Sequence, residues 1–184
     1  MKKVIGLILL IILFSFFNPN IMAETEKNSS VNSGLIQLKA DYMIYEGKKI
    51  IVEKNVNIKR NKYDIKAPYA EIFREESKNI LKKGVQVVYD KGKVKSKIMD
   101  AFFKENRFVF QKNVILNHQM KSNKKFHLQA PYLEMFSEDN SFNAKNGVEI
   151  DYDNRILKSE TANYKSQEDK LILTNKVRIK EEDG

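Results

Sequence analysis

The chain has 184 residues, no cysteine and a formal charge of +9. One domain of this size can hold itself together by burial and backbone pairing alone, but without cysteine no disulfide braces it and no lipoprotein attachment is available. The basic balance, on a chain that opens with an export-type segment, points to phosphorylated lipid or anionic glycan before nucleic acid, with plain solubility as the alternative.

Residues 1–23 read as a signal peptide. Lys2 and Lys3 precede an apolar run from Val4 to Phe17, Asn18-Pro19-Asn20 breaks it, and Ile21-Met22-Ala23 offers a cleavage point before Glu24. A retained membrane anchor is the rival reading. It would need about 20 apolar residues, more than the uninterrupted run supplies. Residues 24–33 are polar and form a linker.

From Gly34 to Gly184 the texture is repetitive. A small or amide residue followed by valine recurs at Asn55-Val56, Gly84-Val85, Asn113-Val114 and Gly147-Val148, with a degraded copy at Lys176-Val177. The valines are 29, 29, 34 and 29 residues apart. Each sits in a stretch that alternates apolar and polar, as in Val52, Val56, Ile58 or Phe110, Val114, Leu116, which predicts strands with one buried face. The inward set is Val56, Ile58, Val85, Val87, Phe110, Val114, Leu116, Val148, Ile150 and Val177. No charged residue other than Lys54 and Lys112, near strand ends, is expected in the inward register.

A second element precedes each of these strands. It begins at Ala40-Asp41-Tyr42, Ala67-Pro68-Tyr69 and Ala130-Pro131-Tyr132, with looser copies at Ile98-Met99-Asp100 and Ser159-Glu160-Thr161. Its small or apolar positions fall at offsets zero, three and five. One residue more than strict alternation predicts a bulge and a bend at Ala40, Ala67 and Ala130. Polar hairpin turns such as Glu46-Gly47-Lys48-Lys49 join the two elements. The extra residues of the third interval form a basic loop over Met120–Lys125. The unit is therefore strand, turn, strand, repeated five times, giving about ten strands around a shared apolar interior. Read from the residues alone, that interior is more readily a self-packed core than a lipid trough.

The Ala-Asp-x-x-x-Tyr strand at Ala40–Tyr45, the Ala-Pro-Tyr strands, the polar turns and the Asn/Gly-Val strands together resemble the repeat of the LptA/OstA family, over residues 34–181. The resemblance implies an all-β, twisted, incompletely closed jellyroll in the periplasm that takes part in outer-membrane biogenesis. It further implies a ligand, lipopolysaccharide or a related lipid A glycolipid, with its acyl chains in the groove lined by the inward set. Partners would be other Lpt-type jellyrolls of the inner and outer membranes, or further copies of this chain joined end to end. Strand addition at the ends would use Leu35, Ile36 and Leu38 on one side and Val177 and Ile179 on the other. Lys124 and Lys125 are candidates to meet lipid A phosphates, a solvated loop being the alternative. An anchored partner resembling LptC is a close variant, and a structural envelope repeat without lipid is the reading from a different class.

Catalysis has little to draw on. His118 and His127 are the only histidines, and no nucleophile, phosphate-loop or metal motif accompanies them. No cofactor and no metal are expected, and the chain reads as a non-enzyme. The basic residues look scattered over outward faces, which argues against nucleic acid.

Overall fold

The computed structural model describes residues 36–73, 75–76 and 78–181. The expected signal peptide, the linker and the edge residue Leu35 lie outside them. Among the described residues there are twelve strands, one 3-10 turn at Phe103–Glu105 and no α-helix. The strands are β1 Ile36–Lys39, β2 Tyr42–Glu46, β3 Lys49–Arg60, β4 Tyr63–Phe73, β5 Lys78–Tyr89 and β6 Gly92–Phe102. They continue with β7 Arg107–Gln119, β8 Lys125–Phe136, β9 Phe142–Tyr152, β10 Arg155–Lys165, β11 Lys170–Thr174 and β12 Arg178–Glu181. Every pairing is antiparallel, and sequence neighbours pair in order from β3 to β10. The first and last passes are each broken in two, so that β1 and β2 both pair with β3, and β11 and β12 both pair with β10. Counted as passes there are ten, and the sheet does not close into a barrel.

Each long strand is bent in the middle, and the bend is what makes two layers from one sheet. On the odd strands two successive residues take a positive φ: Lys54 and Asn55, Lys83 and Gly84, Lys112 and Asn113, Asn146 and Gly147. Asn175 and Lys176 repeat the conformation between β11 and β12. Asparagine and glycine tolerate that region best, which accounts for their place before each valine. Registers shift at each of these points. Glu53 faces Tyr69 and Val56 faces Ala67, three steps against two.

The extra residue therefore belongs to the Asn/Gly-Val strand, not to the Ala-Pro-Tyr strand where alternation had placed it. Parity explains the difference. Val52 and Val56 are four apart and both face inward, so an outward-turned pair between them leaves the period of two undisturbed. Lys54 and Lys112, in phase with the interior, are instead exposed at the bend. Ala67 and Ala130 do sit at the bend and are buried, opposite Val56 and Val114. Ala40 stands in the break of the edge strand, and Asp41 N–H donates to Lys54 O across it at 3.1 Å. In the third copy the small position is Ser96, which faces Val85, and not Ile98. The hydroxyls of Ser96 and Ser159 donate to the carbonyls of Ile98 and Thr161, at 2.8 and 2.9 Å, where the bent ladder offers no backbone partner.

Candidate functional site

Folding each strand at its bend brings the inward faces of the two halves together. Nine of the ten residues expected on the inner face are buried in one continuous cluster, none above 3% exposure: Val56, Ile58, Val85, Val87, Phe110, Val114, Leu116, Val148 and Ile150. Several of their neighbours, among them Val52, Leu81, Leu128 and Leu133, have no exposed surface at all. The middle of the interior is filled by side chains.

Val177 departs from the set. It is 47% exposed, because the last pass has no further strand beyond it to cover its inner side. Ile179 faces Leu157 from the same position and is 64% exposed. At the opposite end Ile36 and Leu38 face Arg60 and Ile58 and are half-buried, while Tyr42, Ile44 and Tyr45 on β2 are exposed. Both ends of the interior thus carry apolar side chains, and among the described residues both terminal passes pair along one side only.

Opposite the bends, the hairpin turns of the two layers meet along a seam. Tyr63 donates its hydroxyl proton to Ser137 O at 2.9 Å or Asn140 Oδ1 at 2.5 Å, and the Asn140 amide reaches Asp90 at 3.4 Å. Asp169 accepts from the backbone N–H groups of Lys121 and Ser122 and from the Tyr164 hydroxyl, each at 2.8 Å. Burial alone would raise the Asp169 carboxyl, but these hydrogen bonds outweigh it and hold the group at about 2. The basic loop is therefore pinned to the turn between β10 and β11. Within it Lys124 lies 3.7 Å from Asp153 and over the Tyr152 ring, on the outer side of a hairpin.

Inside the seam lies an aromatic group. His118 packs against Phe126, Phe142 and Tyr164, with centroids 4.8 to 6.1 Å away, and its Nδ1 is 2.8 Å from the Tyr89 hydroxyl. Burial, reinforced by Lys91, lowers its pKa to about 4, against the opposing pull of Asp169 and Asp90. The imidazole is a neutral core member. His127 lies on the outer face, its Nδ1 2.8 Å from Asn117 Oδ1. Among the described residues no three His, Asp or Glu side chains gather as a metal site would require.

Two features escaped the sequence reading. Lysines are not simply scattered: Lys54, Lys83 and Lys112 occupy equivalent bends on β3, β5 and β7, and Lys54 and Lys83 lie over the rings of Tyr42 and Tyr69. Arg60, polar and at a strand end, reads as a turn residue, yet it is 9% exposed on the inward side. Its only sequence signal is its phase, two residues beyond Ile58.

No protein-family model matches the chain, and no curated protein matches it. Among solved structures, one that aligns is the crystal structure of LptH from Pseudomonas aeruginosa, described as the LptA homologous periplasmic component of the conserved lipopolysaccharide transport device. The alignment covers 84% of this chain and 100% of that one, at 6% identity and a TM-score of 0.44.

Proposed function

We propose that this chain is a non-catalytic envelope module of the periplasm, which carries the acyl chains of a lipopolysaccharide-type glycolipid between its two layers and joins neighbouring jellyrolls end to end. The observation that carries the proposal is an apolar interior that continues from one open end to the other. The motif resemblance of residues 34–181 supports the same reading. Sheltering an acyl chain is worth about 0.8 kcal/mol per methylene, so a dozen methylenes supply roughly 9 kcal/mol toward leaving a membrane. That sum is what must part the layers, since side chains fill the space between them. The seam opposite the bends is the place for it to open, because a few side-chain and turn hydrogen bonds hold it where continuous ladders hold the rest.

The closed middle favours a second reading, a structural repeat module whose interior is only core. Azidophenylalanine in place of Phe110, which keeps the ring and adds a para azide, separates the two once circular dichroism shows the variant folded. Irradiation of cells carrying it should yield an adduct with a phosphorylated glycolipid. A clean result from Phe110, together with a clean result from Leu38 at the mouth, removes lipid carriage and leaves the structural module.

A further inference from the structure

Arg60 ends β3 on the inner side, in phase with Val56 and Ile58. Among the described residues no carboxylate lies within ion-pair distance of it, and its Nε has no hydrogen-bond partner. The nearby charges are otherwise engaged. Lys62 lies 3.7 Å from Asp90, and Asp64 accepts from the Asn57 amide at 2.8 Å on the outer face. The guanidinium carbon stands 5.2 Å from the centre of the Phe103 ring, a contact that offsets only part of its lost hydration. Interiors hold charges in pairs, and an arginine cannot escape by giving up its proton. Burial lowers its pKa without bringing neutrality within reach.

Placement adds the second half of the argument. Across the ladder Arg60 faces Ile36 on the edge strand β1, which among the described residues pairs with nothing on its far side. The cation therefore sits one strand in from the open N-terminal end of the interior, with Leu38 and Ile58 continuing the apolar wall beside it. A fork of donors at the mouth of an apolar seam is what an amphiphile with an anionic head requires.

We infer that Arg60 is an anion-recognition site at the N-terminal mouth of the interior, suited to the phosphate or carboxylate head of an amphiphile whose chain lies along Leu38 and Ile58. The place of the chain rests on the lipid-carriage reading; the anion site stands without it.

The test compares dodecyl phosphate, dodecyl maltoside and inorganic phosphate on the native chain and on Arg60→Met, by titration calorimetry and by denaturant unfolding. Native protein should bind dodecyl phosphate about tenfold or more tightly than the variant does, as loss of a charged hydrogen-bonding partner implies, while dodecyl maltoside binds both alike. Without ligand, Arg60→Met should be at least as stable as the native chain, because no internal partner is lost. Equal affinity of the two proteins for dodecyl phosphate overturns the anion site and leaves carriage intact. Arg60-dependent binding of inorganic phosphate with neither amphiphile bound upholds the site, names a free anion as its source and removes carriage. A destabilised Arg60→Met makes Arg60 a structural residue and overturns the assignment. Should Arg60→Met fail to fold altogether, Arg60→Gln carries the comparison, and an unchanged ratio of dodecyl phosphate to dodecyl maltoside affinity overturns the site.

Discussion

His118 makes the fold sensitive to acid at a single residue. Its ring is 3% exposed, and burial holds its pKa near 4 where the free side chain has 6.5. As pH falls below about 6.5 the unfolded chain takes up a proton that the folded one refuses until about pH 4, so stability is lost as pH drops through that window. The loss should be on the order of 2 kcal/mol between pH 7 and pH 4.5, read from urea unfolding. His118→Gln keeps an acceptor for the Tyr89 hydroxyl and has nothing to titrate, so its stability should be nearly flat over the same range. A native slope that survives in the variant would move the effect to another group. A second residue is steric in its demand. A Cβ on Gly92 would stand 2.0 Å from the carbonyl oxygen of Asn117, on the adjoining strand. Backbone cannot retreat as a side-chain tip can, so Gly92→Ala should cost about 2–3 kcal/mol and lower the thermal midpoint accordingly.

The repeated element is the bent strand, and its two left-handed residues are where sequence and fold meet. Gly84 and Gly147 have φ of +98° and +92°, with nothing within 4 Å of an added Cβ. Gly84→Ala and Gly147→Ala should therefore show strain without a clash, about 1 kcal/mol each. They lie on strands four apart in the sheet, so the double variant should sum the two losses in denaturant unfolding. A loss near zero would mean that the bend relaxes at no expense. The same element shows why the fold was legible and its detail was not. Alternation around Val56, Val85, Val114 and Val148 identified strands with one buried face, because that face is set by hydrophobicity alone. Alternation cannot see a pair of residues turned outward together, so the bend was credited to the strand whose phase visibly slips. Arg60 was illegible for a different reason. A charged residue at a strand end is assigned to solvent by composition, although its alternation with Val56 and Ile58 turns it inward.

At the scale of the whole molecule, ten passes leave two terminal edges that no internal strand can cover. An exposed edge with apolar neighbours is an association surface unless charge or proline blunts it. Neither edge holds a proline; Lys39 and Glu46 on one and Arg178, Lys180 and Glu181 on the other place charge there, yet each keeps large apolar side chains in the open: Tyr42, Ile44 and Tyr45 at one end, Val177 and Ile179 at the other. The two ends differ in sequence, so a joint between them is heterologous and can repeat from copy to copy, where an isologous joint stops at the dimer. The chain spanning residues 24–184 should accordingly gain mass with concentration in sedimentation equilibrium, passing through dimer to longer species. Ile179→Asp puts a charge on the last strand in the joint and should hold the protein at monomer mass, with its unfolding midpoint within about 0.5 kcal/mol of native, since so exposed a side chain contributes little to the core. Mixing distinguishes the joint from general stickiness. An Ile179→Asp protein still offers an intact first edge, so it should cap native chains and shorten them. Native oligomers left at full length by an excess of the variant would mean that the ends do not meet.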